Sequence, residues 1–164
     1  METYNVLFLC TANSARSIMA EALLNQLGEG RFCAYSAGST PAGHVHPQAL
    51  DLLVRNRFPV QGLRSKSWDE FAQPGTPGMD FVLTVCDNAA GEVCPVWPGQ
   101  PVSAHWGVAD PSEVSGSESD VHQAFLNAFI TLRTRIGLLL ELPIEKLNHL
   151  SLHQELHRIA RQGD

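Results

Sequence analysis

Asn5-Val-Leu-Phe-Leu-Cys10 is a short apolar run, and the small polar residues Thr11-Ala-Asn-Ser-Ala-Arg16 follow it directly. From Ala20 to Leu27, apolar residues then recur at the spacing of a helix. This change of period predicts a strand, a loop and a helix in succession. Such a loop aims main-chain N–H groups and the positive end of the helix dipole at one point, which favours a bound oxyanion.

The rest of the chain continues the alternation of strands and helices. Further strands are predicted at about 32–36, 81–85 and 101–104, and helices at about 118–142 and from there almost to the C-terminus. His46 and Pro47 open another helix, which we expect to bury Leu50, Leu53 and Val54. Strands that alternate with helices indicate an α/β fold with a four-stranded parallel sheet, where ligands bind beyond the carboxyl ends of the strands.

Size and charge restrict the classes of function. The chain has 164 residues, 17 acidic against 11 basic side chains and a net charge of −6, so we expect one domain over residues 1–164 and no nucleic-acid partner. There is no basic leader followed by a cleavage site and no apolar run of about 20 residues, so no membrane association is expected and the cytoplasm is the predicted compartment. There, cysteines rest as thiols.

Cys10 is the candidate nucleophile of the loop. The field that holds an oxyanion also stabilises a thiolate, and Arg16 adds a fork of donors for two oxyanion oxygens. Asn13 tolerates a left-handed backbone, and Ser17 is placed to donate its hydroxyl to the Cys10 sulfur. The alternative is a buried strand-end Cys and a surface Arg that never meet. The predicted oxyanion-binding residues are Thr11, Ala12, Asn13, Ser14, Ala15, Arg16 and Ser17.

Asp110, before Pro111, is the candidate general acid, since a thiolate that attacks an oxyanion must expel an oxygen leaving group. The alternative role is an Asp that begins a turn. His105 and Trp106 precede it. His105 is as readily a partner of loop backbone groups as a substrate ligand, and Trp106 is expected to pack against the loop rather than stack on substrate.

Cys86 ends the third predicted strand and Cys94 follows in a loop rich in Gly and Pro, so both are expected near Cys10. Cys86 can attack an oxidised adduct on Cys10, and Cys94 can then attack Cys86 and carry the disulfide outward. The alternatives are a buried apolar thiol and an incidental loop residue. No zinc is expected, because neither Cys-x-x-Cys spacing nor a His pair lies nearby. Cys33 is interpreted as a core residue.

At this point the residues resemble a known family, the arsenate reductases of the low-molecular-weight tyrosine phosphatase superfamily. The resemblance runs from the Cys10 loop through Ser36-Ala-Gly38 and Arg64-Ser-Lys-Ser67 to Asp110-Pro111. The family loop is Cys-x-x-Asn-x-x-Arg-Ser, which this chain matches position by position. The resemblance implies a three-layer sandwich like the low-molecular-weight tyrosine phosphatases, with Cys10 as nucleophile, Asn13 shaping the loop and Asp110 as general acid.

Two segments are similar to the reductases that use a resolving Cys pair and thioredoxin, namely Val85-Cys86-Asp-Asn-Ala-Ala-Gly-Glu-Val-Cys94-Pro95 and Ala104-His105-Trp106-Gly107. This similarity implies that arsenate adds to Cys10, Cys86 releases arsenite, and Cys94 forms the exported disulfide. Phosphate or sulfate is expected to fit the same loop, and no cofactor is implied. Some related enzymes take electrons from glutathione and glutaredoxin, so the donor stays open between thioredoxin and glutaredoxin.

Two departures from the family pattern bear on this reading. Many relatives have Gly in place of Ala12, and many phosphatases have a second Cys in place of Ala15, so Cys86 is left as the resolving thiol. The competing function is a tyrosine phosphatase that acts through a Cys10 phospho-enzyme. A third hypothesis is a non-catalytic redox sensor or anion-binding regulator, which has little reason to keep Asp110.

Overall fold

A computed structural model describes residues 3–86, 97 and 99–162 of the chain. The order of its strands, α-helices and 3-10 helices follows the alternation predicted from the sequence. The elements are β1 (Tyr4–Cys10), α1 (Arg16–Leu27), β2 (Phe32–Gly38), α2 (Pro47–Arg55), a 3-10 helix (Trp68–Phe71), β3 (Phe81–Thr84), β4 (Val102–His105), a 3-10 helix (Pro111–Glu113), α3 (Glu118–Leu140), a 3-10 helix (Ile144–Lys146) and α4 (His149–Ile159).

The described residues form a four-stranded sheet in the order β2-β1-β3-β4, with every neighbouring pair parallel. The register pairs Cys10 with Gly38 and Leu9 with Thr84, so these strands end at one common edge. The parallel α/β fold predicted from the sequence is confirmed. Because β1 is central and leads into α1, the loop after Cys10 lies in the middle of that edge, where parallel sheets bind ligands.

Hydrophobic side chains cover both faces of the sheet, which is why β1 and β3 are continuous apolar runs. On one face, Val6 and Phe8 pack into the cluster that receives the four α-helices, and on the other, Leu7 and Leu9 pack with the 3-10 helix Trp68–Phe71. The three-layer arrangement of the low-molecular-weight phosphatases is therefore confirmed. The single domain expected over residues 1–164 stays a prediction.

Two predictions about helices are wrong. Helix α2 buries Ala49, Leu52 and Leu53, whereas Leu50 and Val54 are 37% and 56% exposed, so the apolar stripe is displaced by one position. The last helix begins at His149 and not directly after Pro143, because a 3-10 turn comes first.

The prediction that Cys33 is a core residue is also wrong. Cys33 is half-buried, and its thiol donates to the Tyr35 hydroxyl at 3.2 Å. Among the described residues, no helix is long and apolar enough to cross a membrane.

Candidate active site

Cys10 is the last residue of β1 and is only 3% exposed. The loop after it enters α1 at Ala15, the N-cap residue, which supplies no side-chain hydrogen bond to the helix. The first turn of α1 also carries no acidic side chain. The first N–H groups of a helix have no partner within the helix, and here no cap side chain satisfies them. This end of α1 is therefore suited to receive an anion.

A second segment, residues 40–46, binds the outer side of the loop through main-chain hydrogen bonds. Three of its N–H groups donate to three loop carbonyl oxygens. The pairs are Thr40 with Thr11 at 2.9 Å, Ala42 with Ala12 at 2.9 Å, and His46 with Ser14 at 2.8 Å. Ser65 Oγ adds a fourth bond to the Ala12 oxygen at 3.1 Å. The carbonyl groups of the loop are thereby fixed on its outside.

The orientation of these carbonyls determines where the loop N–H groups point. In a trans peptide the C=O of one residue and the N–H of the next face opposite ways, and the described chain has no cis bond. The N–H groups of Ala12, Asn13 and Ala15 therefore face inward. One of them, that of Ala12, lowers the pKa of the Cys10 thiol. The loop is thus an inward-facing set of main-chain donors around a thiol, as an oxyanion requires.

Asn13 fixes the sharp bend of the loop. Its φ of 46° lies in the left-handed region that the sequence led us to expect, and the residue is 0% exposed. Its side-chain oxygen accepts from the Lys66 N–H at 2.9 Å, and its amide nitrogen donates to Ser17 Oγ at 2.8 Å. The bend is therefore locked on both sides. The donation of the Ser17 hydroxyl to Cys10 stays a prediction.

Arg16 and Asp110 meet at the mouth of the loop. Arg16 Nη2 lies 3.3 Å from Asp110 Oδ2, while Nη1 donates to the Val108 carbonyl at 2.8 Å. The other carboxylate oxygen accepts from both the N–H and the hydroxyl of Ser112, at 2.9 and 2.7 Å. Asp110 therefore begins a turn and also faces the loop, so the two roles considered from the sequence are not exclusive.

A cavity of about 400 Å³ opens beside this pair. Short apolar side chains and one further carboxylate complete its wall. Its lining residues are Arg16, Cys86, Val108, Ala109, Asp110, Glu113 and Val114. The cavity thus brings together the candidate oxyanion ligand, acid and first resolving thiol. The Cys10 thiol is close enough to Cys86 and Arg16 for both to act on its pKa, whereas Cys94 lies outside the described residues.

Cys86 follows β3 and is 2% exposed. Its sulfur accepts from the Thr11 N–H at 3.2 Å and lies 3.5 Å from the Thr11 hydroxyl. A hydrogen bond with Cys86, and then burial, raise the pKa of the Cys10 thiol, although the Arg16 charge and the Ala12 N–H act in the opposite direction. The thiolate that we expected at Cys10 is therefore opposed in this arrangement by the neighbouring thiol.

A buried polar cluster behind the loop was missed by sequence reasoning. Ser36 Oγ donates to Glu21 at 2.6 Å, and Lys66 Nζ lies 3.7 Å from the same carboxylate oxygen and donates to the Arg64 carbonyl at 2.8 Å. Burial raises the pKa of Glu21 and lowers that of Lys66. The only signal in the sequence was that Ser36 and Lys66 fall in segments that resemble the reductases. Because Lys66 also binds Asn13, this cluster supports the bend of the loop.

His105 and Trp106 do not line the cavity. His105 Nδ1 lies 2.7 Å from Thr84 Oγ1. This partner is a side chain, whereas the sequence suggested loop backbone groups. Trp106 is 0% exposed, packs near Phe8 and donates from its indole to the Leu156 carbonyl at 3.0 Å. This side chain lies in the core and ties β4 to α4, and its expected packing against the loop stays a prediction.

The parallel sheet, the Cys-x-x-Asn-x-x-Arg-Ser loop and the facing Asp define a class of protein. The chain belongs to the low molecular weight phosphotyrosine protein phosphatase family, whose model matches residues 5–149. Within its relatives, it is 33% identical to an arsenate reductase of Halalkalibacterium halodurans over 73% of this chain and 83% of that protein. It is 32% identical to an arsenate reductase of Bacillus subtilis, with the same two shares covered.

Solved structures agree with this assignment. The thioredoxin-dependent arsenate reductase of Corynebacterium glutamicum is 25% identical with a TM-score of 0.55, covering 84% of this chain and 63% of that chain. A low molecular weight protein tyrosine phosphatase of T. tengcongensis has a TM-score of 0.66 at 23% identity, covering 88% and 99%. The similarity to the T. tengcongensis phosphatase concerns the fold alone.

Proposed function

We propose that the protein is an arsenate reductase whose two-electron chemistry passes through Cys10, Cys86 and Cys94. The Cys10 thiolate attacks the arsenic(V) of arsenate, and an oxygen leaves as water with a proton from Asp110. Arg16 and the inward N–H groups of the loop stabilise the charge on the remaining oxygens. Arg16, Asp110 and Cys86 line one cavity at the mouth of the Cys10 loop, which supports a single site for the attack.

The second step reduces arsenic. The Cys86 thiolate attacks the Cys10 sulfur, a Cys10–Cys86 disulfide forms, and the electrons of the S–As bond stay with arsenic, which leaves as arsenite. Cys94 then attacks Cys86, which frees Cys10 and leaves a Cys86–Cys94 disulfide. A dithiol donor outside the chain reduces that disulfide and closes the cycle.

One observation carries the proposal: a second buried thiol, Cys86, lines the same cavity as Arg16 and accepts a hydrogen bond from the N–H of Thr11, the residue that follows Cys10. A phosphatase needs only the nucleophile, the oxyanion ligands and the acid, and it has no use for a reducing thiol in that place. The arsenate reductases among the relatives support the same conclusion.

For the electron donor we propose thioredoxin, because the similar reductase of Corynebacterium glutamicum is thioredoxin-dependent. Glutaredoxin with glutathione is the alternative donor. The cytoplasm is the proposed compartment, since an exchange relay needs a reducing environment to return to its thiol form.

The test is arsenate-dependent oxidation of reduced thioredoxin, coupled to thioredoxin reductase and NADPH. We expect turnover in the native chain and its loss in Cys10→Ser, Cys86→Ser and Cys94→Ser, while Cys33→Ser keeps it. The same assay with glutaredoxin and glutathione distinguishes the donors.

The phosphatase is the second candidate, because family membership and the shared first step favour it. Hydrolysis of a phosphate ester through Cys10, with no arsenate-dependent oxidation of either donor, would replace the reductase by the phosphatase.

A further inference from the structure

His46 joins the oxyanion loop to helix α2. It is the N-cap residue of α2, and its Nδ1 accepts a hydrogen bond from the Gln48 N–H at 3.1 Å. Its main-chain N–H is the one that donates to the Ser14 carbonyl at 2.8 Å. Its ring lies against Phe125 of α3, with 4.6 Å between ring centroids. His46 therefore both caps α2 and tethers the oxyanion loop.

We propose that His46 is a positioning residue of the oxyanion loop, acting through its cap on α2. The cap holds the backbone of His46 in place, and this backbone holds the Ser14 carbonyl on the outside of the loop. The Ala15 N–H, which belongs to the same peptide unit, then faces the oxyanion. This inference rests on the proposed function only in that it names arsenate as the anion that the loop binds.

The side chain matters even though the tether is a main-chain bond. Pro47 has no N–H, so the Gln48 N–H is the first donor of α2 that a cap can satisfy. Without the Nδ1 acceptor, this first turn frays and the extended conformation of His46 (φ −63°, ψ 130°) is no longer held from the helix side. The tethers from Thr40 and Ala42 remain, so the loop is loosened and not lost.

The chain offers a matched control at another helix. Asn148 is the N-cap residue of α4, and its side-chain oxygen accepts from the Ser151 N–H at 2.8 Å. Asn148→Ala removes a cap of the same kind. Among the described hydrogen bonds, however, none joins α4 to the Cys10 loop. Loss of global stability and loss of loop position are thereby separated.

The experiment compares His46→Ala, His46→Asn and Asn148→Ala in the full reduced chain. Binding of inorganic phosphate and of arsenate is measured by calorimetry, urea unfolding measures stability, and steady-state kinetics with thioredoxin separate KM from kcat. Asn is a strong N-cap residue, so His46→Asn keeps the acceptor while it removes the ring.

We expect His46→Ala to weaken anion binding about five-fold, which is the factor that an N-cap of ordinary strength supplies, and to raise KM by the same factor. Asn148→Ala lowers the unfolding midpoint to a similar extent but binds phosphate like the native chain. His46→Asn restores binding to within about two-fold of the native value.

Native affinity in His46→Ala, or equal weakening in Asn148→Ala, would overturn the proposal. So would a His46→Asn variant as weak as His46→Ala, because the ring contact with Phe125 would then be the cause. If the native chain binds phosphate but never reduces arsenate, the proposed function fails, while the binding comparison still tests His46.

Discussion

Arg16 and Asp110 bind each other across the mouth of the loop, with 3.3 Å between Nη2 and Oδ2. The oxyanion ligand and the candidate acid are thus paired before substrate arrives. An entering oxyanion competes with the carboxylate for the guanidinium, and the negative charge of the carboxylate also opposes the anion. Anion binding therefore competes with the Arg16–Asp110 ion pair.

Asp110→Asn separates binding from chemistry. Asn keeps a side-chain oxygen to accept from Ser112, so the turn is preserved, but it has no negative charge and no proton to donate as an acid. We expect phosphate to bind a few-fold more tightly and kcat with arsenate to fall by about 10²-fold or more. Calorimetry and steady-state kinetics measure the two changes. Weaker phosphate binding in the variant would show that the carboxylate does not compete for Arg16.

Cys86→Ala lowers the pKa of Cys10. The hydrogen bond with Cys86 is the largest cause that raises this pKa, and its removal leaves burial as the main remaining cause, opposed by the Arg16 charge. The rate of alkylation of Cys10 by iodoacetamide, followed against pH by mass spectrometry of its peptide, has a midpoint that moves to lower pH in the variant. Cys33→Ser serves as the control, because its thiol bonds to Tyr35. An unchanged midpoint in Cys86→Ala would contradict the expected thiol coupling.

Gly38→Ala disrupts the site by a clash of backbone atoms. A Cβ at Gly38 would lie 2.4 Å from the Thr11 oxygen and 2.8 Å from the Cys10 oxygen, and neither atom can yield without moving the loop. We expect a loss of about 3 kcal/mol in the free energy of unfolding, measured in urea, together with weak phosphate binding. Gly78→Ala is the control, since a Cβ there meets nothing within 4 Å, and its effect stays within about 1 kcal/mol.

Lys66→Met leaves the half-buried Glu21 carboxylate without the ammonium group that lies 3.7 Å from it. Breaking a buried ion pair from one side costs about 3–5 kcal/mol, and the additional change Glu21→Gln returns much of it. Burial already raises the Glu21 pKa, and loss of Lys66 raises it further. A carboxyl with a raised pKa in the folded state favours folding at low pH, and this contribution is lost as pH rises through that pKa.

The penalty of Lys66→Met is therefore smaller at acid pH than at neutral pH when chemical denaturation is compared across the two conditions. The double variant has no such pH dependence. A penalty that grows as the pH falls would show that Glu21 is not the group left unpaired.

The sequence predicted β1, α1 and the loop between them because the change from a strand run to helical spacing is local. It did not predict the face of α2. The nine residues of that helix admit two apolar stripes, and packing on α1 and α3 selects Ala49, Leu52 and Leu53. Propensity and period cannot make that choice, because it depends on partners that are distant in the chain.

The site shows the same division. Cys10, Arg16 and Asp110 were found from their types and spacing, and the structure brings them together. The sequence did not predict the tethers from residues 40–46, because they are main-chain hydrogen bonds and any residue type can supply them. The pKa direction at Cys10 was also missed, since it depends on the contact with Cys86, which spacing alone does not give.

The tethers on the outside of the loop have a consequence for how this site can vary. Because backbone N–H groups at Ala12, Asn13 and Ala15 supply the inward donors, the side chains at 12 and 15 do not themselves recognise the anion. Substitution there changes the bulk around the loop but leaves the donors in place, so Ala at both positions is compatible with an oxyanion loop. The anion site depends instead on the backbone position of the distant segment 40–46, which keeps the loop carbonyls facing out.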